Sequence, residues 1–325
     1  MTNAIAYLDE SAAGWERTLY AFLAEKERRS GSLRTVQSYS RMLQHFFGRA
    51  GKTPDQVTSQ DVFAWAYGAG LSGKQPGSIT IGARIACLSS FYRFLIRVKV
   101  LTSNPCDALE RPRVVQGAPR GLSAEQIRRL LDIVPGTPVG LRDRAIMLTL
   151  TFTGRRRAEV LGMTAGSIVV EDRVFYIYRG KGGKTGKREL PRPAYEAIRT
   201  WLTNQGKDLE SMSPDGSLWP DTRSGRGIAS GTFYTNLRRY LKAAGLPPGG
   251  VHIFRHSAAK LRREAGESVE EVSRFLDHSN LAVTTTYLRR LEGQEDRSWE
   301  KVAEAIGVGL TATSERRSRE SYTKR

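Results

Sequence analysis

Apolar residues recur every three or four positions through the first hundred residues, and that spacing predicts four amphipathic helices. Trp15, Leu19, Phe22 and Leu23 fall on one face of a segment from Trp15 to Arg28, and Val36, Tyr39, Leu43, Phe46 and Phe47 do the same from Leu33 to Arg49. Ser59 reads as the N-cap of a short third helix through Val62, Phe63 and Trp65. A longer helix runs from about Ser78 to Lys99 through Ile81, Ile85, Leu88, Phe91, Tyr92 and Leu95. Asn104-Pro105 bars its continuation, because proline has no amide proton to give a helix. No alternating pattern interrupts these segments, so residues 1–110 read as a small all-helical domain.

The pattern then changes character. Residues 111–121 hold prolines, glycines and arginines with no helical period, which is the composition of an extended linker over an anionic surface. Ser123 and Gln126 form a capping box that opens a helix through Ile127, Leu130, Leu131 and Val134. Helices follow at Leu141 to Phe152 and Arg157 to Met163. Then comes an island of β character: Ser167 to Val170, Val174 to Tyr178 and Arg188 to Leu190, the last two joined by the Gly-rich turn GKGGKTGK. Helical spacing resumes at Pro193 to Asn204, Ser230 to Ala244, His256 to Ala265, Val269 to Leu276, Val283 to Arg290 and Ser298 to Ile306. Residues 311–325 are polar and basic without apolar period and read as a disordered tail. The expected fold is mainly α, two domains, with a small antiparallel sheet inside the second (122–310).

Charge narrows the partners. Of 325 residues, 51 are Lys or Arg and 33 Asp or Glu, a formal +18, and the surplus is present on both sides of the linker. Such an excess points to a polyanionic partner, a class that includes double-stranded DNA. The two cysteines, Cys87 and Cys106, form no CxxC pair and have no histidine at ligand spacing, so neither a zinc site nor a disulfide framework is read and no cofactor is implied. The opening residues lack a basic segment followed by an apolar core, and no stretch reaches the ~20 apolar residues of a membrane span. A soluble, cytoplasmic protein is expected, with no membrane partner.

Chemistry-bearing residues fall in three clusters: Thr153-Gly154-Arg155-Arg156-Arg157-Ala158-Glu159, His252-Ile253-Phe254-Arg255-His256, and Leu276-Asp277-His278 with Tyr287 nine residues on. A tyrosine hydroxyl, arginines, histidines and a lysine are the parts needed to break and remake a DNA phosphodiester without a metal. The phosphorane gains charge on its non-bridging oxygens, and a guanidinium meets that charge with two parallel hydrogen bonds while never losing its proton. His252 and Arg255, at i and i+3, share a helical face and can address one phosphate. An imidazole with an ordinary pKa near ~6.5 can take up the phenolic proton and return it. Glu159 lies one turn from Arg156, where its carboxylate can hold the guanidinium. By itself the triple arginine reads first as a solvated charge run.

In order and spacing these clusters resemble the tyrosine recombinase family, the phage integrases and Xer-like enzymes. The family pattern Thr-Gly-x-Arg-x-x-Glu-hydrophobic matches Thr153, Gly154, Arg156, Glu159 and Val160, so the resemblance makes Arg156 the catalytic arginine and leaves Arg155 and Arg157 facing DNA or solvent. His-x-x-Arg-His matches His252, Arg255 and His256. Leu-Gly-His followed by Tyr matches Leu276, His278 and Tyr287, with Tyr287 as nucleophile; position 277 departs, being Asp where glycine is usual, and it either raises the pKa of His278 or faces solvent. The family's general-acid lysine sits in a Gly-Lys-Gly turn after a strand, which selects Lys181 and leaves Lys184, Lys187 and Arg188 to bind DNA backbone.

The resemblance implies a helical SAM-like core-binding domain followed by a catalytic domain of the DNA breaking-rejoining fold. It implies site-specific recombination through a 3′-phosphotyrosyl intermediate, for integration and excision or for dimer resolution. It further implies four protomers on two DNA sites, with a terminal helix, here bearing Trp299, Val302, Ala303 and Ile306, docking on a neighbour or on its own domain. With no separate arm-binding domain expected before Trp15, the simpler type of integrase is favoured. Two alternatives stand beside this: a type IB topoisomerase-like enzyme, and a catalytically silent DNA-binding protein on the same fold.

Overall fold

The computed structural model describes residues 15–70, 73–113, 121–180, 185–221 and 224–277. The chain divides into two compact units, Met1–Gly117 and Ala118–Arg325. The expected helices at Val283 to Arg290 and Ser298 to Ile306, and the tail, lie outside the described residues, as do Lys181, Lys184, His278 and Tyr287.

In the first unit, four helices, α1 (Trp15–Ser30), α2 (Leu33–Ala50), α3 (Ser59–Tyr67) and α4 (Ser78–Arg97), close around one aromatic core. Phe22, Phe47 and Phe91 meet with ring centroids 5.3 to 5.7 Å apart in edge-on geometry, the arrangement that aligns a positive ring edge with a negative face. Thr58, not Ser59, caps α3: its hydroxyl accepts from the Asp61 amide, and the Asp61 carboxylate accepts from the Thr58 amide. The helix α4 corrects the expectation about membrane-length segments. Its 20 residues are long and apolar enough to cross a bilayer. Its apolar face is nonetheless the centre of this core, with Ile81, Ile85, Leu88, Phe91, Tyr92, Phe94 and Leu95 all buried. Both cysteines are reduced and buried, and burial pushes each thiol up to about 12.

The second unit is organised on α6 (Pro138–Thr153), most of whose residues are buried, with Leu141, Arg144, Leu148 and Thr151 along a half-buried face. Thr137 caps it, about one turn before the expected start at Leu141, so the helix starts earlier than apolar spacing alone indicates. Around it lie α5 (Ala124–Asp132), α7 (Arg157–Leu161), α8 (Arg192–Asn204), α9 (Ser230–Ala243), α10 (His252–Glu264) and α11 (Val269–Phe275). Ser123 and Gln126 make the expected capping box at α5. The sheet is antiparallel in the order β1 (Ile168–Val170), β2 (Val174–Arg179), β3 (Thr185–Glu189). β3 begins three residues before the expected Arg188, because Thr185, Gly186 and Lys187 pair with Arg179, Tyr178 and Ile177 instead of remaining in the turn. Likewise α10 begins at His252 rather than His256.

Polar groups inside this core are satisfied. The Trp201 indole donates to the Leu218 carbonyl at 2.9 Å and the Trp219 indole to the Val160 carbonyl at 2.6 Å, the second fixing α7 onto the core. Asp143, fully buried, accepts from Arg142 at 3.1 Å, from the Asn236 amide at 2.8 Å and from the Tyr240 hydroxyl at 3.1 Å, which fastens α9 to α6. Removing one member of a buried ion pair leaves the other uncompensated. Asp143→Ala is therefore expected to destabilise the second unit by about 3–5 kcal/mol, measured by urea denaturation, and Arg142→Met with Asp143→Leu by less than the single change.

Candidate active site

The site is built where α6 ends. Gly154 terminates α6 in the left-handed conformation, with φ of +60°, and its amide donates to the Leu150 carbonyl. Thr153, buried, turns its hydroxyl back to the Thr149 carbonyl, so the motif's threonine closes the helix rather than reaching solvent. The chain then passes through Arg155 and enters α7 at Arg156. Glu159 reaches back across the first turn of α7, accepting from the Arg156 amide at 2.9 Å through one oxygen and from its guanidinium at 2.9 Å through the other. That is the role expected of Glu159. The Arg156 side chain keeps 37% of its surface exposed while Glu159 keeps 7%, so the guanidinium is aimed outward by a buried carboxylate.

His252 and Arg255 come from the first turn of α10, on one face as expected. Arg255 is buried, and its fork joins two other elements: it donates to the Gly154 carbonyl at 2.7 Å and to the Leu276 carbonyl at 2.6 Å. Two of a guanidinium's five N–H groups are thereby used, and three remain for a ligand. Burial lowers its pKa to about 10, aided by the nearby charges of Arg156 and Arg155 and opposed by Glu159 and Asp277, and it stays cationic at neutral pH. Burial also lowers the pKa of His252, and Arg157, Arg255 and Arg156 lower it further, which favours the neutral, proton-accepting imidazole. His256 shifts the same way, by burial and then by the charges of His252 and Arg255. Arg156, Arg255 and His252 thus form one electropositive cluster.

Three expectations are corrected. Arg155 faces neither DNA nor solvent: it is 2% exposed, stacks on the Tyr178 ring at 4.1 Å, and bonds to the Asp277 carboxylate and the Phe275 carbonyl. The left-handed Gly154 turn directs it inward, and neighbouring residues in an extended turn point opposite ways. Arg188 is held by the end of α11, donating to the carbonyls of Phe275 at 2.6 Å and Arg274 at 2.8 Å and to Asp277. Asp277 does not simply face solvent: its carboxylate accepts from Arg155, Arg188 and the Tyr178 hydroxyl at 2.7 Å, while the other expectation, an effect on His278, falls on a residue outside the described ones. Burial works to raise its pKa, and those hydrogen bonds and cations prevail and hold it below the usual carboxylate value. Lys187 is paired with Glu171 at 2.7 Å and lies over the Phe175 ring, with 44% of its side chain exposed.

Sequence matching places these residues in a known setting. Residues 120–293 match the phage integrase family, and residues 17–99 match the phage integrase N-terminal SAM-like domain. The chain belongs to the phage integrase family. Among relatives of this integrase, the tyrosine recombinase XerC of Alcanivorax borkumensis is 30% identical over 86% of this chain and 91% of its own length. The tyrosine recombinase XerD of Halalkalibacterium halodurans is 28% identical over 81% and 89%. In fold the chain is similar to the XerH site-specific recombinase bound to its difH substrate (TM-score 0.63, 18% identity, 88% and 90% covered). It is also similar to a lambda integrase tetramer bound to a Holliday junction (TM-score 0.65, 19% identity, 89% and 81% covered). The mainly helical fold with a three-stranded antiparallel sheet is that of tyrosine recombinases.

Gly154 leaves no room for a side chain. A Cβ there would lie 2.6 Å from the Phe275 ring and 2.9 Å from Leu276, in a backbone conformation that costs an L-residue about 1–2 kcal/mol. Gly154→Ala is expected to displace the carbonyl that Arg255 grips, lowering both thermal stability and DNA cleavage; unchanged cleavage at wild-type Tm refutes this.

Proposed function

We propose that this chain is a site-specific DNA recombinase that cleaves and rejoins strands through a phosphotyrosyl bond at Tyr287. The observation that carries this is the joint placement of Arg156, Arg255 and His252 at the end of α6, with the Arg255 fork gripping Leu276, two residues before His278. A convergent set of guanidiniums beside a neutral imidazole is suited to a transition state that gathers negative charge while a phenol loses its proton.

In this scheme the Tyr287 oxygen attacks the scissile phosphorus and the 5′-oxygen leaves, giving a 3′-phosphotyrosyl ester and a free 5′-hydroxyl. His252 accepts the phenolic proton, Lys181 protonates the departing oxygen, and His278 donates a hydrogen bond to the phosphate. Arg156 and Arg255 bind the non-bridging oxygens. A 5′-hydroxyl from the partner duplex then attacks the ester and regenerates the phenol, so the sum of phosphodiester bonds is unchanged and neither ATP nor metal enters. Lys184 and the exposed Lys187 contribute backbone contacts. The first unit binds DNA as the SAM-like core-binding domain, the second carries catalysis, and four protomers assemble on two sites with the terminal helix docking on a neighbour. The reaction belongs to the cytoplasm, where the DNA is.

Tyr287→Phe is expected to bind its DNA site with wild-type affinity and to form no covalent adduct with a nicked suicide substrate, on which the wild type accumulates adduct in the presence of EDTA. An adduct formed by the variant, or one that EDTA abolishes and magnesium restores, rejects the scheme. Exchange between two defined sites, as against relaxation of any supercoiled plasmid, separates recombinase from topoisomerase.

The direction of the His252 shift gives a pH dependence. With its pKa below the ordinary 6.5, the base form persists into mildly acidic solution and is lost only as pH falls through the lowered value. Single-turnover cleavage is expected to have its acid limb below pH 6.5, and His252→Gln to lose that limb; a midpoint at or above 6.5 contradicts the assignment.

A further inference from the structure

At the C-terminal end of α11 three consecutive carbonyls each meet a guanidinium. Arg188 bonds to the carbonyl of Arg274, Arg188 and Arg155 to that of Phe275, and Arg255 to that of Leu276. The partial negative charge at a helix C-terminus favours cations, and here they arrive from three separate elements: the turn after α6, strand β3 and helix α10. The next residue, Asp277, has φ of +52°, a conformation that non-glycine residues seldom adopt and that Asp accepts better than most. Its carboxylate ties two of the same arginines together and takes the Tyr178 hydroxyl as well. The Tyr178 ring can lie there because it crosses Gly186 on β3, where a Cβ would stand 2.6 Å from it.

Arg155 and Asp277 need one another. The Arg155 side chain is 1% exposed, so its charge has no access to water, and Asp277 is the carboxylate bound to it. A buried charge that loses its counterion is strongly destabilising, whereas loss of both together strands nothing. His278 follows Asp277 directly in sequence, and Tyr287 lies ten residues beyond it.

We propose that Asp277, with Arg155 and Arg188, is a positioning cluster that sets the point and direction from which the chain leaves α11 toward His278 and Tyr287, and so governs the rate of strand cleavage without touching the substrate. The cluster links three parts of the site at once: the turn that leads into Arg156, the β-hairpin whose connection contains Lys181, and the helix end gripped by Arg255. It fixes the residue that directly precedes the histidine in sequence. This inference rests on the reading of Tyr287 as nucleophile.

The test uses the full chain with a nicked suicide substrate, protein in excess, well below the melting temperature of every variant, with DNA affinity measured in parallel. Asp277→Asn keeps the shape and removes the charge, and is expected to slow adduct formation about 10- to 100-fold, as small misplacements of reacting groups do, with the Kd for DNA within about threefold of wild type. Arg155→Leu alone is expected to behave similarly, and Arg155→Leu with Asp277→Gly to be no slower than either single variant. Arg188→Gln, which alters a partly exposed residue and leaves the buried pair intact, is expected to slow adduct formation with Kd unchanged, and it decides the matter if the others fail to fold. Adduct formation at the wild-type rate in Asp277→Asn or in Arg188→Gln overturns the proposal. So does a loss that follows DNA binding in proportion, or a double variant slower than the product of the singles. The wild-type reaction is the separate control: absence of any adduct there rejects Tyr287 as nucleophile, whereas a normal adduct in wild type and variants alike rejects only the positioning cluster.

Discussion

The fork of Arg255 is the constraint on which the site depends. One buried guanidinium joins the carbonyl that ends α6 to the carbonyl that ends α11, so the turn leading into Arg156 and the chain leading to His278 are held from a single side chain. Its isolation from water lowers its pKa, and the neighbouring arginines lower it again, yet it remains charged because full-length carbonyl dipoles and the Glu159 carboxylate lie close by. Among the described residues every buried side-chain nitrogen and oxygen has a hydrogen-bond partner, as a buried charge requires. A lysine could not replace it, since a point charge cannot hold two carbonyls at the angle of a planar fork.

The rest of the second unit makes that fork rigid. α6 is enclosed by the other helices, and its polar residues Arg142 and Asp143 are turned into a network that anchors α9. Trp219 pins α7 through the Val160 carbonyl, one residue after Glu159, which in turn aims Arg156. The opening residue of the unit is also tied in, the Leu122 amide donating to the Ser257 hydroxyl on α10 at 2.8 Å, with Gly121 leaving room for the His256 carbonyl. Reactive geometry is thus carried by packed helices rather than by loops, which is where orientation can be maintained to fractions of an ångström.

Much of this was legible in the chain before its structure. Apolar spacing located the helices of both units, and the capping box at Ser123 was correct to the residue. Spacing failed where polar residues do the structural work. β3 carries Gly186 and Lys187 beside Thr185, the first two poor strand formers, and it forms because β2 offers an unpaired edge and Tyr178 needs a glycine beneath it. α10 starts at His252, where the polar side chains of His252, Arg255 and His256 dilute the apolar signal of the buried Ile253 and Phe254. Of the candidate site, Arg156 and Glu159 are singled out in the sequence by their match to the family pattern, and His252 and Arg255 by that match and by their i, i+3 spacing on α10. The family's usual glycine at 277 gave the one hint of what spacing cannot convey, the partners of an aspartate brought by three other elements.

Arg155, Arg156 and Arg157 explain why a run of like charges is a poor guide by itself. The left-handed turn at Gly154 sends Arg155 into the protein, where a ring face, a carbonyl and a carboxylate replace its water. One residue later the chain begins a helix, and Arg156 is turned outward and held by Glu159. Arg157, on the first turn of α7, acts on His252 through space. Identical side chains therefore serve as a buried strut, an outward-facing guanidinium held by a carboxylate and a source of positive potential, and the chain's turn at one glycine separates those parts. A sequence can announce that the charge is present, but the direction in which each guanidinium points is decided by how α6 ends.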